Sequence, residues 1–254
     1  MSVHIGQLAG KTAVVTGSSR GIGQAIALEL ADAGADVVLH GWRHPEEARV
    51  TAETIRQKGR EVLVILADLA EPAQQDRLAE EAWQWRQGVD IWINNAGADV
   101  LTGEAAGWPF EQRLEALWRV DVVGAIRLSR QVGHRMKRAG QGVIVNVGWD
   151  GVHRGMETDG GQLFAAAKGA VMAFTRSLAR ALAPQVRVLC IAPGWIRTRW
   201  AQQASDLWQQ RAIQESLLGR WGTPQDVASL VRFLVSPEAG FLTAQIIEIN
   251  GGAM

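Results

Sequence analysis

Tyrosine is absent from all 254 residues. No phenol is therefore available as a proton donor, and any acid/base chemistry has to use another group. Cysteine occurs once, as Cys190. A single thiol excludes an internal disulfide, which fits a reducing compartment. In the apolar run Val188-Leu189-Cys190-Ile191 it reads as a buried core residue. Net charge is also missing, with 26 basic residues against 26 acidic ones. Nucleic acids and anionic membrane surfaces recruit a basic excess, so neither is expected as a partner. No apolar run approaches the roughly 18 residues of a membrane span. Met1 to Gly10 lacks a basic flank followed by a long apolar stretch, so no secretory signal is read there and a cytoplasmic location is expected. Histidine and cysteine pairs at zinc-like spacing are absent, so no metal is expected. A Ser-His-Asp set with a nucleophile elbow is absent too. The aromatic residues present are mostly tryptophan, eleven against five phenylalanines.

Short Val- and Ile-rich runs alternate with longer helical patterns. The strand candidates are Thr12–Thr16, Asp36–His40, Glu61–Leu66, Asp90–Ile93, Gly142–Val147, Val186–Ile191 and Gln245–Ile249. Helix candidates are Gly21–Ala33, Pro45–Lys58, Pro72–Gln87, Glu111–Arg138, Leu163–Ala183 and Pro224–Val235. The runs show little polar alternation, as strands buried on both faces do. Regular β–α alternation implies parallel strands with right-handed crossovers. The expectation is one α/β domain over residues 1–254, a Rossmann-like doubly wound sheet of about seven strands with helices on both faces. Two segments interrupt the rhythm: the polar, Gly-rich loop Trp149–Gln162 and the insertion Thr198–Gly222. Both follow strands at the sheet edge where such folds bind ligands, so both are candidates to cover a substrate.

The first strand runs into Thr16-Gly17-Ser18-Ser19-Arg20-Gly21-Ile22-Gly23, and a helix follows. Glycines there permit a tight turn and close approach of backbone to a pyrophosphate, with helix N-terminal N–H groups facing the anion. A strand before the turn and a helix after it make this a dinucleotide-binding pattern rather than a chance glycine cluster. The second strand ends in Val38-Leu39-His40-Gly41-Trp42-Arg43-His44. An acidic side chain at that point would bind the adenosine ribose of NAD and repel a 2′-phosphate. None occurs before Glu46, and Arg43 and Arg20 are placed to meet a phosphate, so NADP(H) is favoured over NAD(H). A solvated surface charge is the other reading of Arg43.

Further along stand Asp68 after the third strand, Asn94-Asn95-Ala96-Gly97 after the fourth, and Pro193-Gly194-Trp195-Ile196-Arg197-Thr198 after the sixth. The chain ends on Gly219-Arg220-Trp221-Gly222-Thr223-Pro224 and Asn250-Gly251-Gly252. With the glycine turn, these motifs in this order resemble the short-chain dehydrogenase/reductase family over nearly the whole chain. The resemblance implies hydride transfer between a nicotinamide and a carbonyl, imine or alcohol. It implies cofactor contacts at Gly17, Ser19, Arg20, Gly21, Ile22, Gly23, Arg43, Asp68, Asn95, Ala96, Gly97, Lys168, Pro193, Gly194, Ile196 and Thr198. It also implies a homodimer or homotetramer, paired through the two long central helices.

The family uses a Tyr, a Lys four residues on, a Ser and an Asn. The matching segment is Phe164-Ala165-Ala166-Ala167-Lys168-Gly169-Ala170, in which spacing of four puts Phe164 and Lys168 on one helix face. Lys168 is retained for the nicotinamide ribose. Phe164 stands at the Tyr position, Gly148 at the Ser position and Asp121 at the Asn position. Asp121 reads chiefly as a salt-bridge partner of Lys168, and secondarily as an acid. Asp150 is the leading replacement acid, with a turn-forming role before Gly151 as the alternative. An Asp near there, and a His- and Arg-bearing end of the second strand, partly resemble the pteridine reductase branch. His153, Glu157 and Asp159 share the loop and are not ranked. Trp149, Trp195, Trp200 and Trp208 read either as a stacking wall for a flat aromatic or heteroaromatic substrate, or as packing. Trp83, Trp85 and Trp92 read as structural. The expected activity is NADP(H)-dependent reduction or oxidation of a small carbonyl or imine compound with a non-standard proton-transfer site. The alternative is a catalytically silent dinucleotide-binding protein acting as a sensor or assembly partner.

Overall fold

The computed structural model describes residues 7–253. The first half of the chain runs β1 (Thr12–Val15), α1 (Gly21–Asp32), β2 (Asp36–Gly41), α2 (Pro45–Gln57), β3 (Val62–Leu66), α3 (Pro72–Trp85) and β4 (Ile91–Asn94). Next come α4 (Phe110–Leu117), a π-helical run over Trp118–Gly124, α5 (Ala125–Ala139) and β5 (Gly142–Val147). The last part holds α6 (Gly151–Arg154), α7 (Asp159–Leu182), β6 (Val186–Pro193), α8 (Arg199–Gln203), α9 (Asp206–Glu215), α10 (Pro224–Val235) and β7 (Ile246–Ile249). Proline opens α2, α3 and α10, where its missing N–H costs no helix bond.

All seven strands join one parallel sheet in the order β3-β2-β1-β4-β5-β6-β7. This is the doubly wound, Rossmann-like arrangement expected from the β–α alternation. The order reverses between β1 and β4, which opens a crevice beyond their C-terminal ends. One face carries α1, α2 and α10 over a core that includes Leu30, Ile55, Val227 and Leu234. The other carries α3, α5 and α7 over Leu78, Leu128, Val132 and Leu178. Each such fully buried side chain contributes roughly 1.5–3 kcal/mol relative to exposure.

Polar side chains inside this core are tied to one another. Trp92 is fully buried, and its Nε1 donates to Asn94 Oδ1 at 2.8 Å. Asn94 donates to Ser129 Oγ and Asn146 Oδ1, and Asn146 donates to Thr175 Oγ1 at 2.9 Å. This chain of bonds fixes the ends of β4 and β5 against α5 and α7, and so fixes the floor of the crevice.

The structure departs from the sequence expectations in two places. The single helix expected over 111–138 is divided by the π-helical run. There Gly124 comes so close to Leu69 that an added Cβ would lie 3.2 Å from its carbonyl oxygen, and Asp121 is buried. An extra residue per turn accommodates both, and π segments commonly occur at functional sites. The expected loop 149–162 contains α6 and the first turn of α7. Thr158 caps α7 by accepting from the Gly161 N–H at 3.0 Å. A Cβ on Gly161 would strike Met156 and one on Gly160 would lie 3.2 Å from Leu101 Cδ2, so two of the four glycines of this segment serve close packing in a helix.

Candidate active site

The glycine turn sits at the mouth of the crevice. Gly17 and Gly21 have φ of +64° and +60°. A Cβ on Gly23 would lie 2.3 Å from Gly17 O and 2.4 Å from Asn95 Nδ2, so only glycine lets α1 start this close to the loop. Asn95 Nδ2 donates to the Thr16 and Gly17 carbonyls, and Thr16 Oγ1 accepts from the Asn95 and Ala96 N–H groups. Arg20 precedes α1 in extended conformation, and no side chain caps the helix. The first-turn N–H groups are thus left for an external acceptor, and the helix dipole favours an anion. Open space lies in front of Gly21, where the nearest atom to an added Cβ is Thr198 Cγ2 at 4.0 Å. The glycine turn and the segment after β6 therefore face one another. These features fit a dinucleotide diphosphate.

His40 is the unexpected member of this end. It is 3 % exposed within a fully buried strand. Gly17 N–H donates to its Nδ1 at 3.0 Å, and its Nε2 lies 3.0 Å from Ala67 O. Burial pulls its pKa down to about 4, partly offset by the Ala67 bond. The ring is neutral at pH 7, with Nε2–H donating to Ala67 and Nδ1 accepting from the glycine turn. Its own N–H donates to Ser18 Oγ. The imidazole thus ties β2, β3 and the turn together. A polar residue at the buried end of a strand must find partners, and that was the available signal. Asp68 Oδ1 accepts from Ala70 N–H at 2.9 Å and shapes the turn after β3. Arg43 stacks its guanidinium over Trp42, 3.7 Å from the ring centroid. Among the described residues no ion-pair partner is found for Arg20 or Arg43.

Across the crevice, Lys168 Nζ lies 2.8 Å from Asp121 Oδ2, with side chains 11 % and 1 % exposed. Asp121 Oδ1 accepts from Ala98 N–H at 2.8 Å. One carboxylate thus connects the loop after β4, the π-helical run and α7. Phe164 lies four residues before Lys168 on α7, and the Trp149 ring meets it at 65° with centroids 6.4 Å apart. Gly148 is crowded from another side. A Cβ there would sit 2.8 Å from Met172 Cγ and 3.0 Å from Cys190 Sγ. Phe164 has Trp149 as an aromatic neighbour, a residue read from the sequence either as a stacking wall or as packing.

Asp150, the expected acid, is 1 % exposed and lies beside Gly194. Arg154 Nη2 donates to its Oδ2 at 2.7 Å and Asn250 Nδ2 at 3.3 Å, while Oδ1 has no partner among the described residues. Burial raises its pKa, with Arg154 and Asn250 opposing. Its carboxylate is engaged with Arg154 and Asn250, not with Phe164 or Lys168. Arg154 also reaches Glu215 on α9, at 3.4 Å. Glu215 accepts from Trp195 Nε1 at 2.7 Å and from Arg211 Nε at 2.6 Å. Burial would raise the Glu215 carboxyl, but these donors hold it below its usual value. Arg211 extends the chain to Glu157. The segment over 198–222 is therefore bolted to α6 by charge.

Trp195, Trp200, Trp208 and Trp221 form one cluster, with centroid separations of 5.6 to 6.3 Å. These rings pack on each other, which favours the packing reading for three of the four tryptophans that might have lined a substrate. Burial pushes the Cys190 thiol up to about 12, in line with a core residue.

Comparison with known proteins adds the family. A family model described as "Enoyl-(Acyl carrier protein) reductase" matches residues 17–254. The chain is 37 % identical over 267 residues to a cyclohexanol dehydrogenase of Rhodococcus sp., covering 96 % of each. It is 34 % identical to a 3-oxoacyl-[acyl-carrier-protein] reductase of Aquifex aeolicus, covering 97 % of this chain and 98 % of that protein. This chain belongs to the short-chain dehydrogenase/reductase family. Among solved structures, a short-chain dehydrogenase from Burkholderia cenocepacia in complex with NADP superposes with a TM-score of 0.88 at 32 % identity, covering 97 % of this chain and 98 % of that one. A 7α-hydroxysteroid dehydrogenase complexed with NADH and 7-oxo glycochenodeoxycholic acid gives a TM-score of 0.88 at 29 % identity, covering 97 % of this chain and 95 % of that one.

In this short-chain dehydrogenase/reductase, several of the residues expected to meet a dinucleotide lie together at the glycine turn. Gly17, Gly23, Asn95 and Ala96 interlock, and Thr198 approaches Gly21. Lys168 and Asp121 meet, as the salt-bridge reading required. Among the described residues no helix is long and apolar enough to cross a membrane.

Proposed function

We propose that this protein is an NADP(H)-dependent oxidoreductase acting on a small aromatic or heteroaromatic carbonyl or imine compound without a phenolic acid. The carrying observation is the uncapped start of α1 just after Arg20, with Arg43 two residues past β2, whose last residue Gly41 approaches Ser19; neither guanidinium has a carboxylate partner among the described residues. Backbone N–H groups there would hold the diphosphate, and the two guanidinium groups would select the 2′-phosphate. Lys168 would hold the nicotinamide ribose, and Pro193, Gly194 and Ile196 would flank the nicotinamide. When bound, the cofactor supplies or accepts a hydride.

Phe164 takes the place that the family gives to its tyrosine, so proton handling falls on other groups. Asp150 remains in reach of the segment after β6, but Arg154 and Asn250 make it an anchor first. Asp121 serves Lys168. The helical segment over 198–222 covers the substrate, held by the Arg154–Glu215 contact. Trp118 and Val123, 44 % and 36 % exposed on the long central helical region, favour self-association into a homodimer or homotetramer, in the cytoplasm.

The test is NADPH oxidation against a panel of carbonyls, imines and pterins, with Lys168→Met as control. Turnover by wild type that falls at least about hundredfold in the variant is expected. NADPH binding with no turnover on any compound would favour the silent, sensor-like reading.

A further inference from the structure

The face beside Lys168 has an unusual chemical balance. Its one ammonium is cancelled by the Asp121 carboxylate 2.8 Å away, so the buried pair carries no net charge. Its walls are the partly exposed rings of Phe164 and Trp149. No tyrosine exists in the chain, and Gly148 offers neither a hydroxyl nor room for one against Met172 and Cys190. A second carboxylate, Asp150, is paired with Arg154 and keeps its other oxygen buried without a partner among the described residues. Aromatic faces suit a cation, and with no phenol in the chain and no hydroxyl at position 148 this face lacks the family's proton donor for a developing alkoxide.

Carbonyl reduction places two electrons on oxygen, and the alkoxide then needs a proton. A C=N bond that already carries a positive charge needs none. A hydride adds to its carbon, the π pair becomes the nitrogen lone pair, and a neutral amine results. We infer that the substrate is a preformed cyclic iminium conjugated to an aromatic ring, bound against Trp149 and Phe164. This rests on the NADP(H)-oxidoreductase reading, in which the reduced nicotinamide supplies the hydride and ends as the pyridinium. The single positive charge is thereby conserved, and no proton enters or leaves. The neutral Lys168–Asp121 pair then stays neutral throughout, so the missing phenol is no defect for this reaction.

The test has a binding arm and a turnover arm. Calorimetry on the NADPH-loaded protein compares a saturated quaternary ammonium probe, N,N-dimethyl-tetrahydroisoquinolinium, with its neutral carbocyclic isostere. The cation should bind about fivefold more tightly or better, and Trp149→Leu should erase most of that margin without changing NADPH affinity. In turnover, N-methyl-dihydroisoquinolinium should be reduced at a rate flat in pH across the neutral range, with tetralone near background. Phe164→Tyr should raise tetralone reduction by about a hundredfold and shrink the ratio between the two substrates. A cation that binds no tighter than the isostere, or tetralone turned over as fast as the iminium, overturns the inference while leaving the oxidoreductase reading intact. Failure of NADPH itself to bind would remove that parent reading, and the inference with it.

Discussion

The two halves of the crevice are built on different principles. At the β1–β2–β4 end the work is done by backbone. Glycines admit close approach, Thr16 and Asn95 bond to main chain, and His40 holds the turn through two backbone groups. At the β5–β6–β7 end the work is done by side chains: an ion pair at Lys168, an aromatic pair at Phe164, and a charge chain from Asp150 to Glu157. A backbone site tolerates few substitutions, because geometry rather than residue type makes it. A side-chain site can change its chemistry while the fold stays. The proposed replacement of a tyrosine by Phe164 falls at the side-chain end, where such a change leaves the fold intact.

Asp121 is the strongest bridge between the two ends, so removing it should do the most damage. Asp121→Ala would leave the Lys168 ammonium buried without its counter-ion and the Ala98 N–H without an acceptor. Urea unfolding should show a loss of about 3 kcal/mol, and Asp121→Asn a smaller one.

Acid should attack the backbone end through His40. His40 has an ordinary value near 6.5 when unfolded and about 4 when folded. Between these values the unfolded chain binds the extra proton, so its contribution is present above pH 6.5 and is lost as pH falls towards 4, about 3 kcal/mol in all. Protonation of the folded protein, near pH 4, also removes the acceptor for the Gly17 N–H, so NADPH affinity should hold through the neutral range and fall only as pH approaches that value. His40→Gln should flatten that slope in both measurements.

A smaller effect would sharpen the contrast from the other side. Glu215→Gln weakens the bonds to Arg154, Arg211 and Trp195 and should cost about 1 kcal/mol. Limited proteolysis should then cut within 198–222 sooner, with NADPH affinity unchanged. Least of all, Cys190 should resist thiol reagents in the native protein at neutral pH, because burial keeps it protonated.

Much of the backbone end was legible in the sequence. Strand–glycine–helix patterning placed the turn, and buried apolar runs placed seven strands in their observed order of type. His40 was read as the last residue of the second strand with no partner assigned, because its partners Gly17 and Ala67 lie 23 and 27 residues away, while pairing with β3 carried β2 on to Gly41. The substrate end was legible in composition but not in contact. Spacing put Phe164 beside Lys168, and charge complementarity joined Lys168 to Asp121. No local pattern could show that Trp149 turns onto Phe164, that Asn250 reaches Asp150, or that Trp221 joins Trp195, Trp200 and Trp208. Those contacts link residues up to about a hundred positions apart, and Asn250 reaches Asp150 across 100 of them. The glycines at 160 and 161 misled in the opposite direction, suggesting a loop where packing on Leu101 and Met156 favoured small residues in a helix.

The most direct measurement is calorimetric titration of the wild-type protein with NADPH and with NADH. NADPH should bind at least about tenfold more tightly, with Arg43→Ala removing most of the difference and Trp149→Leu none of it. No binding of either nucleotide, or equal affinity for both in the wild type, would contradict a backbone-built diphosphate site with guanidinium selection of the 2′-phosphate.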